Sequence, residues 1–299
     1  MKQPLKREQL RGVCLPLPTP FSSREEFEPG ILRSNIRKWN QTGVIGYVVG
    51  GSTGERVHLD EREYLELIDT ARSEVPGDKT FIVGAGQQST YGTINEIKKA
   101  ARAGADAVLV ITPYFYRSAL NQETLINYYT AVADSSPVPV LLYSMPPLTG
   151  IKIEPETVAR LSEHPNITGV KDSSNDVAGF SKTVDHCSRD FAVLTGNGTV
   201  LLDTLRAGAT GGILAVGCVA PEVCVEIFRA FHAREDEHAA MLQSKLTPLA
   251  TAVTTKFGIG GLKSALDLAG YQGGAVRAPL RAPDEPARAE IAALLDRIT

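Results

Sequence analysis

Short apolar runs, rich in β-branched residues and bounded by Gly, Pro or Ser, recur along the chain with longer amphipathic stretches between them. Continuous apolar runs of this length are typical of strands that are buried on both faces, as they are in a parallel sheet. The pattern predicts eight strands, at residues 11–15, 44–49, 80–84, 106–111, 138–143, 167–171, 191–194 and 211–215.

The stretches between these runs have helical periodicity, and some begin with a helix start signal such as Asp60 before Glu-Arg-Glu. Eight strands that are each followed by a helix predict an α/β fold, a closed (β/α)₈ TIM barrel. An open doubly wound sheet would need a Gly-rich turn after an early strand, but the first strand runs into PLPTPF. The predicted helices lie near 29–42, 60–74, 90–103, 121–134, 155–163, 176–187, 198–207 and 221–234.

The last part of the chain has helical periodicity only. Helices are predicted at 236–256, 259–270 and 284–297, separated by the glycines from Gly258 to Gly261 and by the turn-rich segment 271–283. We therefore expect a barrel over residues 1–235 and a C-terminal helical extension over residues 236–299 that packs on it. No low-complexity linker separates the two parts.

Composition narrows the class of protein. Of the 299 residues, 43% are hydrophobic and 22% are charged, which is typical of a soluble globular protein. A net charge of −3 without clusters of Lys or Arg argues against a nucleic-acid partner. No apolar run reaches the roughly 18 residues of a membrane span, and the N-terminal segment lacks the apolar stretch of a secretory signal. We expect a cytoplasmic protein with no membrane partner.

Cysteine and histidine spacing gives no sign of a metal site or a disulfide framework. The four cysteines form no CxxC pair and are expected to be free thiols, and Cys14, Cys218 and Cys224 lie in apolar segments that predict burial, unlike Cys187. The five histidines take no metal-binding spacing, so no metal is expected.

Two strand ends carry polar groups of chemical interest. The second strand leads into Gly-Gly-Ser-Thr-Gly-Glu at 50–55, whose backbone N–H groups and hydroxyls can surround a small anion such as a carboxylate. A structural turn is the alternative. The fifth strand ends at Tyr143, which can relay protons at the mouth of a barrel or simply cap its core.

The sixth strand ends at Lys171, a lysine that closes an otherwise apolar run. Desolvation favours the neutral amine, which attacks a carbonyl carbon, whereas an ion pair with a carboxylate such as Asp172 would make the lysine structural. Active sites of barrels are built at the carboxyl ends of the strands. Together, the lysine, the tyrosine and the anion-binding loop could bind a 2-oxo acid and convert it to an imine and then to an enamine.

Several motifs in register give the chain a resemblance to the dihydrodipicolinate synthase and N-acetylneuraminate lyase family, whose members are pyruvate-dependent Schiff-base lyases on such barrels. The likeness covers nearly the whole chain. It is carried by LPLPTPF at 15–21, GGSTGE at 50–55, AGADAVLVITPYFY at 103–116, LLYSMPPLTG at 141–150, ITGVKDSS at 167–174 and GATGGILAV at 208–216.

The resemblance implies a role for individual residues. The family's Schiff-base lysine falls on Lys171 and its proton-relaying tyrosine on Tyr143, and its carboxylate-binding hydroxyl pair falls on Ser52 and Thr53. The resemblance implies further contacts with substrate from Ser173, Gly196 and Ile213. The contact from Ile213 is made by its backbone. The resemblance also implies a homodimer or homotetramer, and no cofactor, because the imine on the lysine is itself the electron sink.

Three positions depart from family patterns. Synthases usually carry Arg where this chain has Leu148 and Tyr where it has Phe115, so the relay must use water, Tyr114 or Tyr116. Sialic acid lyases usually have acidic residues where this chain has Asn197-Gly198.

The closest likeness is to 4-hydroxy-2-oxoglutarate aldolases, through LLYSMP and the segments 161–177 and 252–280. We therefore expect an aldolase or lyase that joins pyruvate to an aldehyde such as glyoxylate, or cleaves the product. The alternatives are dihydrodipicolinate synthase, a 2-keto-3-deoxy sugar-acid aldolase, and a non-catalytic pyruvate-binding homologue.

Overall fold

Eight parallel strands form a closed barrel in the computed structural model, which describes residues 5–298. Each strand pairs with its neighbours in the chain, and the eighth pairs with the first. This architecture confirms the predicted (β/α)₈ fold. The strands are β1 Val13–Pro16, β2 Gly46–Val49, β3 Thr80–Ala85, β4 Ala107–Ile111, β5 Val140–Ser144, β6 Ile167–Asp172, β7 Ala192–Thr195 and β8 Gly211–Ile213.

Helices surround the barrel at every predicted position. The Asp60 side chain accepts a hydrogen bond from the backbone N–H of Glu63 at 2.7 Å, and the Glu63 side chain accepts one from Asp60, so a capping box starts α2 as its sequence indicates. The one-turn helix α5 was not predicted. The helices are α1 Pro29–Trp39, α2 Glu61–Arg72, α3 Thr90–Arg102, α4 Gln122–Ser135, α5 Pro146–Thr149, α6 Pro155–Ser162, α7 Val177–His186, α8 Leu201–Arg206 and α9 Pro221–His232.

Alternate residues of each strand point into the barrel or out towards the helices. On β5, Leu141 and Tyr143 belong to the interior cluster, whereas Leu142 packs in the outer layer between sheet and helices. The register pairs Lys171 with Tyr143 on one side and with the interior residue Leu194 on the other. Because side chains alternate along a strand, Lys171 points into the barrel at its carboxyl end.

The C-terminal helices pack on the barrel. They are α10 Asp236–Thr251, which continues through a π-helical turn at Ala252–Lys256, then α11 Gly258–Leu268 and α12 Glu285–Leu295. The Trp39 ring of α1 stacks on Tyr271 with 5.2 Å between centroids, and its Nε1 donates to the carbonyl of Cys218 at 2.9 Å. The proposed division at residue 235 stays a prediction, and its residues 1–4 and 299 lie outside the described part of the chain.

The prediction that the glycines from Gly258 to Gly261 would separate two helices is wrong, because all of them lie inside a helix. Helix α11 begins at Gly258 and includes Gly260, where an added Cβ would lie 2.1 Å from the carbonyl oxygen of Arg281. The glycine is therefore needed for close packing of the chain against the helix, rather than for a break in it.

The cysteines are free thiols as expected, with Cys14, Cys218 and Cys224 buried. Burial raises the pKa of Cys14 to about 12, an effect that the charge of Lys171 partly offsets. None of the helices within residues 5–298 has the length and apolar character that a transmembrane helix requires.

Candidate active site

Lys171 and Tyr143 occupy neighbouring strand ends at the carboxyl mouth of the barrel. The Lys171 side chain is 4% exposed, and its Nζ lies 4.4 Å from the centroid of the Tyr143 ring. Within residues 5–298, no carboxylate forms an ion pair with the Lys171 side chain. Lys171 is therefore a buried amine whose nearest described partner is the face of an aromatic ring.

The alternative in which Asp172 holds Lys171 in an ion pair does not occur among the described residues. Asp172 is the next residue along the strand, so its side chain points to the opposite face. Its carboxylate accepts the backbone N–H of Ser174 at 2.6 Å, and burial raises the pKa of Asp172. The acid is thus engaged in the following loop.

The loop after β2 brings a hydroxyl to Tyr143. Ser52, Thr53 and Gly54 form one turn of 3₁₀ helix, and Ser52 Oγ lies 3.4 Å from Tyr143 Oη. Thr19 Oγ1, in the loop after β1, donates to the carbonyl of Gly54 at 2.7 Å and so holds the turn. The two hydroxyls form a polar pair across the mouth, in which either oxygen can donate.

Lys171, Ser173 and Gly196 meet at a single point. A Cβ added to Gly196 would lie 1.9 Å from Ser173 Oγ and 2.6 Å from Lys171 Cε, so only glycine fits here. Ser173 Oγ is buried and has no hydrogen-bond partner among the described residues. A substrate oxygen held near Lys171 could satisfy that hydroxyl.

The other two predicted binding residues lie in the turn after β2 and at the end of β8. Thr53 is buried in the same turn as Ser52. Ile213 ends β8, pairs with Cys14 of β1, and packs in the interior cluster with Tyr143 and Leu194.

A cavity of about 280 Å³ opens beside Tyr143. Of the predicted residues it is lined by Ser52 and Tyr143 only, so Lys171 is not part of its wall. Tyr114 and Leu148 also form its wall. The Phe115 and Leu148 side chains are 71% and 64% exposed, and of these two residues Leu148 lines the cavity whereas Phe115 does not.

The sequence reading missed Arg56, the basic side chain in the wall of this cavity. Its guanidinium is paired with Glu96, donates to the carbonyl of Leu59 at 3.2 Å, and lies 4.1 Å from the centroid of the Tyr64 ring. Arg56 could have been identified from its position directly after GGSTGE, because that loop is predicted to bind an anion.

One group of possible metal ligands occurs in the described chain, on α9, α10 and their connection. Glu226, Glu235 and His238 each place a ligand atom within 4.8 Å of the others. Exposed acidic groups of this kind are common without an ion, and the expectation that the protein carries no metal stays a prediction.

The barrel and the full-length sequence match define an enzyme of the lyase class. A sequence profile described as "Dihydrodipicolinate synthetase family" matches residues 9–298. The chain belongs to this family, as its motifs predict. Enzymes of the family act on pyruvate and an aldehyde-type substrate through a covalent Schiff base with a lysine, and they use no external cofactor.

Relatives and solved structures agree over nearly the whole chain. The 4-hydroxy-tetrahydrodipicolinate synthase of Exiguobacterium sp. is 32% identical over 96% of this chain and 97% of its own length. That of Methanothrix thermoacetophila is 33% identical over 97% of each chain. The relatives thus carry the name of one alternative, rather than that of the expected 4-hydroxy-2-oxoglutarate aldolase.

Among solved structures, YagE, a prophage protein of the dihydrodipicolinic acid synthase family from E. coli in complex with pyruvate, superimposes with a TM-score of 0.90. It is 30% identical and the match covers 96% of this chain and 98% of that one. Dihydrodipicolinate synthase from Thermotoga maritima has the same TM-score, identity and coverage.

Proposed function

We propose that Lys171 is the Schiff-base lysine and that the protein is a class I aldolase of pyruvate. The observation that carries the proposal is the buried Lys171 amine, which has no carboxylate partner and lies 4.4 Å from the Tyr143 ring centroid. A lysine that only stabilised the fold would be expected to have a charged partner, because a buried unpaired charge is costly.

The chemistry follows from a neutral amine. Lys171 Nζ attacks the ketone carbon of pyruvate to give a carbinolamine, which loses water to give the imine. Loss of a proton from the methyl carbon gives the enamine, whose carbon adds to the carbonyl of an aldehyde. Water then cleaves the imine, releasing a 4-hydroxy-2-oxo acid and the free lysine, and the reverse sequence cleaves that acid.

The remaining residues are proposed to bind and to move protons. Tyr143 donates the proton that the departing water needs, with Ser52 as its hydrogen-bonding neighbour. The hydroxyls of Ser52 and Thr53 hold the pyruvate carboxylate, helped by the backbone of Ile213. Gly196 leaves the space that the imine requires, and Ser173 Oγ binds an oxygen of the second substrate.

The proposed product is 4-hydroxy-2-oxoglutarate or a closely similar acid, with glyoxylate as the aldehyde. A substrate carboxylate that lies far from the aldehyde carbon would need a cation at the rim of the cavity to bind it. This chain has the apolar side chain of Leu148 there. The carboxylate of glyoxylate is bonded directly to its aldehyde carbon, so it would lie close to Lys171. The unpartnered Ser173 Oγ is a hydroxyl in that region.

The second candidate is 4-hydroxy-tetrahydrodipicolinate synthase, which acts on aspartate semialdehyde. It is favoured by relatives of that name at 32–35% identity over most of the chain. A sugar-acid aldolase would need groups that hold a polyol, and at the expected position Asn197 donates its amide to Asn175. A non-catalytic pyruvate-binding homologue would form the imine without turnover.

Mass spectrometry after borohydride reduction tests the imine. With pyruvate present, we expect a reduced pyruvate adduct on the peptide that contains Lys171 and none in Lys171→Ala, whereas Lys256→Ala, which removes an exposed lysine, keeps the adduct. An adduct on a different lysine would refute the site assignment, and absence of any adduct in the wild type would refute pyruvate as the donor.

The aldehyde is tested by comparing kcat/KM for glyoxylate and aspartate semialdehyde at saturating pyruvate. We expect glyoxylate to be preferred, and Leu148→Arg to shift the preference towards the semialdehyde by supplying the missing cation. Preference of the wild type for the semialdehyde would instead identify the synthase. Imine formation without turnover of either aldehyde, or of a longer sugar aldehyde, would favour the non-catalytic homologue.

We also infer a homodimer or homotetramer. Val57, Phe115 and Tyr116 are each more than 70% exposed in the single chain, and exposed apolar groups of this kind are typical of protein interfaces. Sedimentation velocity of the protein should give a dimer or tetramer rather than a 32.1 kDa monomer. A cytoplasmic location remains part of the proposal.

A further inference from the structure

A buried ion pair joins the C-terminal extension to the mouth of the barrel. Lys263 of α11 and Glu55 lie 2.6 Å apart, with side chains 2% and 1% exposed. The charge of a buried pair is costly to desolvate, and apolar residues of similar volume often stabilise a fold equally well. The position of the pair in the molecule therefore suggests a role besides stability.

Glu55 directly follows the turn that carries Ser52 and Thr53. Its backbone N–H donates to the carbonyl of Ser52 at 3.1 Å, which closes the turn. Its φ is 53°, in the left-handed region that side chains other than Gly, Asn and Asp seldom adopt. Such a conformation persists only where surrounding contacts hold it. The Glu55 side chain is therefore the natural place to look for those contacts.

The Glu55 carboxylate is held from three sides. One oxygen accepts from Lys263 Nζ, and the other accepts the backbone N–H of Arg277 at 3.1 Å and lies 3.2 Å from Nδ1 of His58. Arg277 belongs to the segment after α11, so two of the three contacts come from the C-terminal extension. The loop near Tyr143 is thus fixed by residues more than 200 positions away.

Lys263 is itself fixed in direction. Its Nζ donates a second hydrogen bond to the carbonyl of Ala275 at 2.6 Å and lies 4.6 Å from the centroid of the Phe21 ring. Burial lowers the pKa of Lys263, and Glu55 opposes that effect. The ammonium group is therefore part of a defined network that includes Glu55.

We propose that Lys263 is a positioning residue, which acts through Glu55 to hold the Ser52–Gly54 turn where it can bind the substrate carboxylate. This inference rests on the proposed function, because it takes Ser52 and Thr53 as the carboxylate-binding hydroxyls. The C-terminal extension then contributes to substrate binding through Glu55, although none of its residues lines the cavity beside Tyr143.

The test is a titration of borohydride-trapped adduct against pyruvate concentration. Lys263→Met alone would leave the buried Glu55 carboxylate without the ammonium group of Lys263, so the informative variant is the double replacement Lys263→Met/Glu55→Gln, which removes both charges. We expect the half-saturating pyruvate concentration to rise by about 10- to 100-fold, the effect of displacing a binding group by a fraction of an ångström to 1 Å. The adduct should still form on Lys171 at saturation.

The half-saturating pyruvate concentration and the amount of adduct at saturation together distinguish a positioning role from a purely structural one. A variant that is merely less folded would give less adduct at saturation with an unchanged half-saturating concentration, and that result would overturn the proposal. The matched control is Lys256→Met/Glu290→Gln, which removes an exposed pair of 2.6 Å in the same extension and should leave the titration unchanged. If the control shifted as much as the test variant, the effect would not belong to the Glu55 pair, and the proposal would fail.

A second variant keeps the inference testable if the double variant does not fold. Glu55→Gln preserves the side-chain shape and an acceptor oxygen, and Lys263 can respond by losing its proton. A smaller rise in half-saturating pyruvate is expected, and a wild-type value in this folded variant would overturn the proposal. Absence of adduct in the wild type would instead refute the proposed function. The two failures are distinguishable, because this one is seen in the wild type without any variant.

Discussion

Ser52 Oγ lies 3.4 Å from Tyr143 Oη, although 91 positions separate the two residues in the chain. The pair joins the carboxylate-binding turn to the tyrosine that lies against Lys171. In the proposed mechanism, the Ser52 hydroxyl binds the carboxylate of pyruvate, and the Tyr143 hydroxyl supplies the proton for dehydration of the carbinolamine.

The first prediction concerns this pair. Tyr143→Phe should slow imine formation by about 100-fold or more, because it removes the proton donor but keeps the ring. Ser52→Ala should slow it less, since Tyr143 would still reach water. The measurement is the rate at which trapped adduct accumulates at saturating pyruvate, and equal rates for Tyr143→Phe and wild type would exclude the tyrosine from the relay.

The second prediction concerns the point where Lys171, Ser173 and Gly196 meet. Gly196→Ala should abolish or strongly reduce the trapped adduct, because its Cβ would collide with Ser173 Oγ and Lys171 Cε. Gly77→Ala is the matched control, since a Cβ there meets no atom within 4 Å. Normal trapping by a folded Gly196→Ala protein would show that the lysine side chain has room that the geometry denies it.

A third prediction assigns the hydroxyl that substitutes for the one missing at Phe115. Tyr114 lines the cavity beside Tyr143, whereas Tyr116 does not. Tyr114→Phe should therefore lower kcat more than Tyr116→Phe does, by up to the 100-fold typical of a lost proton donor. Comparable activity of both variants and the wild type would leave water as the proton carrier.

The fourth prediction is a pH dependence of stability. Arg277 donates two hydrogen bonds to the Glu63 carboxylate, at 2.7 and 2.8 Å, and they hold the pKa of Glu63 below its ordinary value. A carboxyl whose folded-state pKa is lowered stabilises the protein above its unfolded-state pKa, and this contribution is lost as the pH falls through the folded-state pKa.

Glu63→Gln should therefore reduce the free energy of unfolding by about 1–2 kcal/mol at pH 7, and by less near pH 3. Glutamine can still accept the capping hydrogen bond from Asp60, so the helix start is kept. Denaturant unfolding at both pH values measures the difference. Glu66→Gln, an exposed change on the same helix, should have little effect at either pH; a Glu63→Gln penalty that is independent of pH would contradict the assignment to the charge.

The architecture could be predicted from the amino-acid sequence, because each β-α unit has its own local periodicity. The apolar run at 80–84 became β3 Thr80–Ala85, and the amphipathic stretch at 90–103 became α3 Thr90–Arg102. The one-turn helix α5 was missed because the two prolines of the YSMPPLTG segment indicate a turn as readily as a first helical turn.

The sequence also identified the strand ends that carry Lys171 and Tyr143, since a polar residue that closes an apolar run is a local signal. The groups that contact these two side chains became known only from the folded arrangement of the elements. The closeness of Ser52 to Tyr143, the contact of Gly196 with Ser173, and the pair of Glu55 with Lys263, 208 positions apart, depend on barrel closure and helix packing. Such contacts leave no periodic trace in a single sequence, because they are set by the distance between elements rather than by the pattern within one.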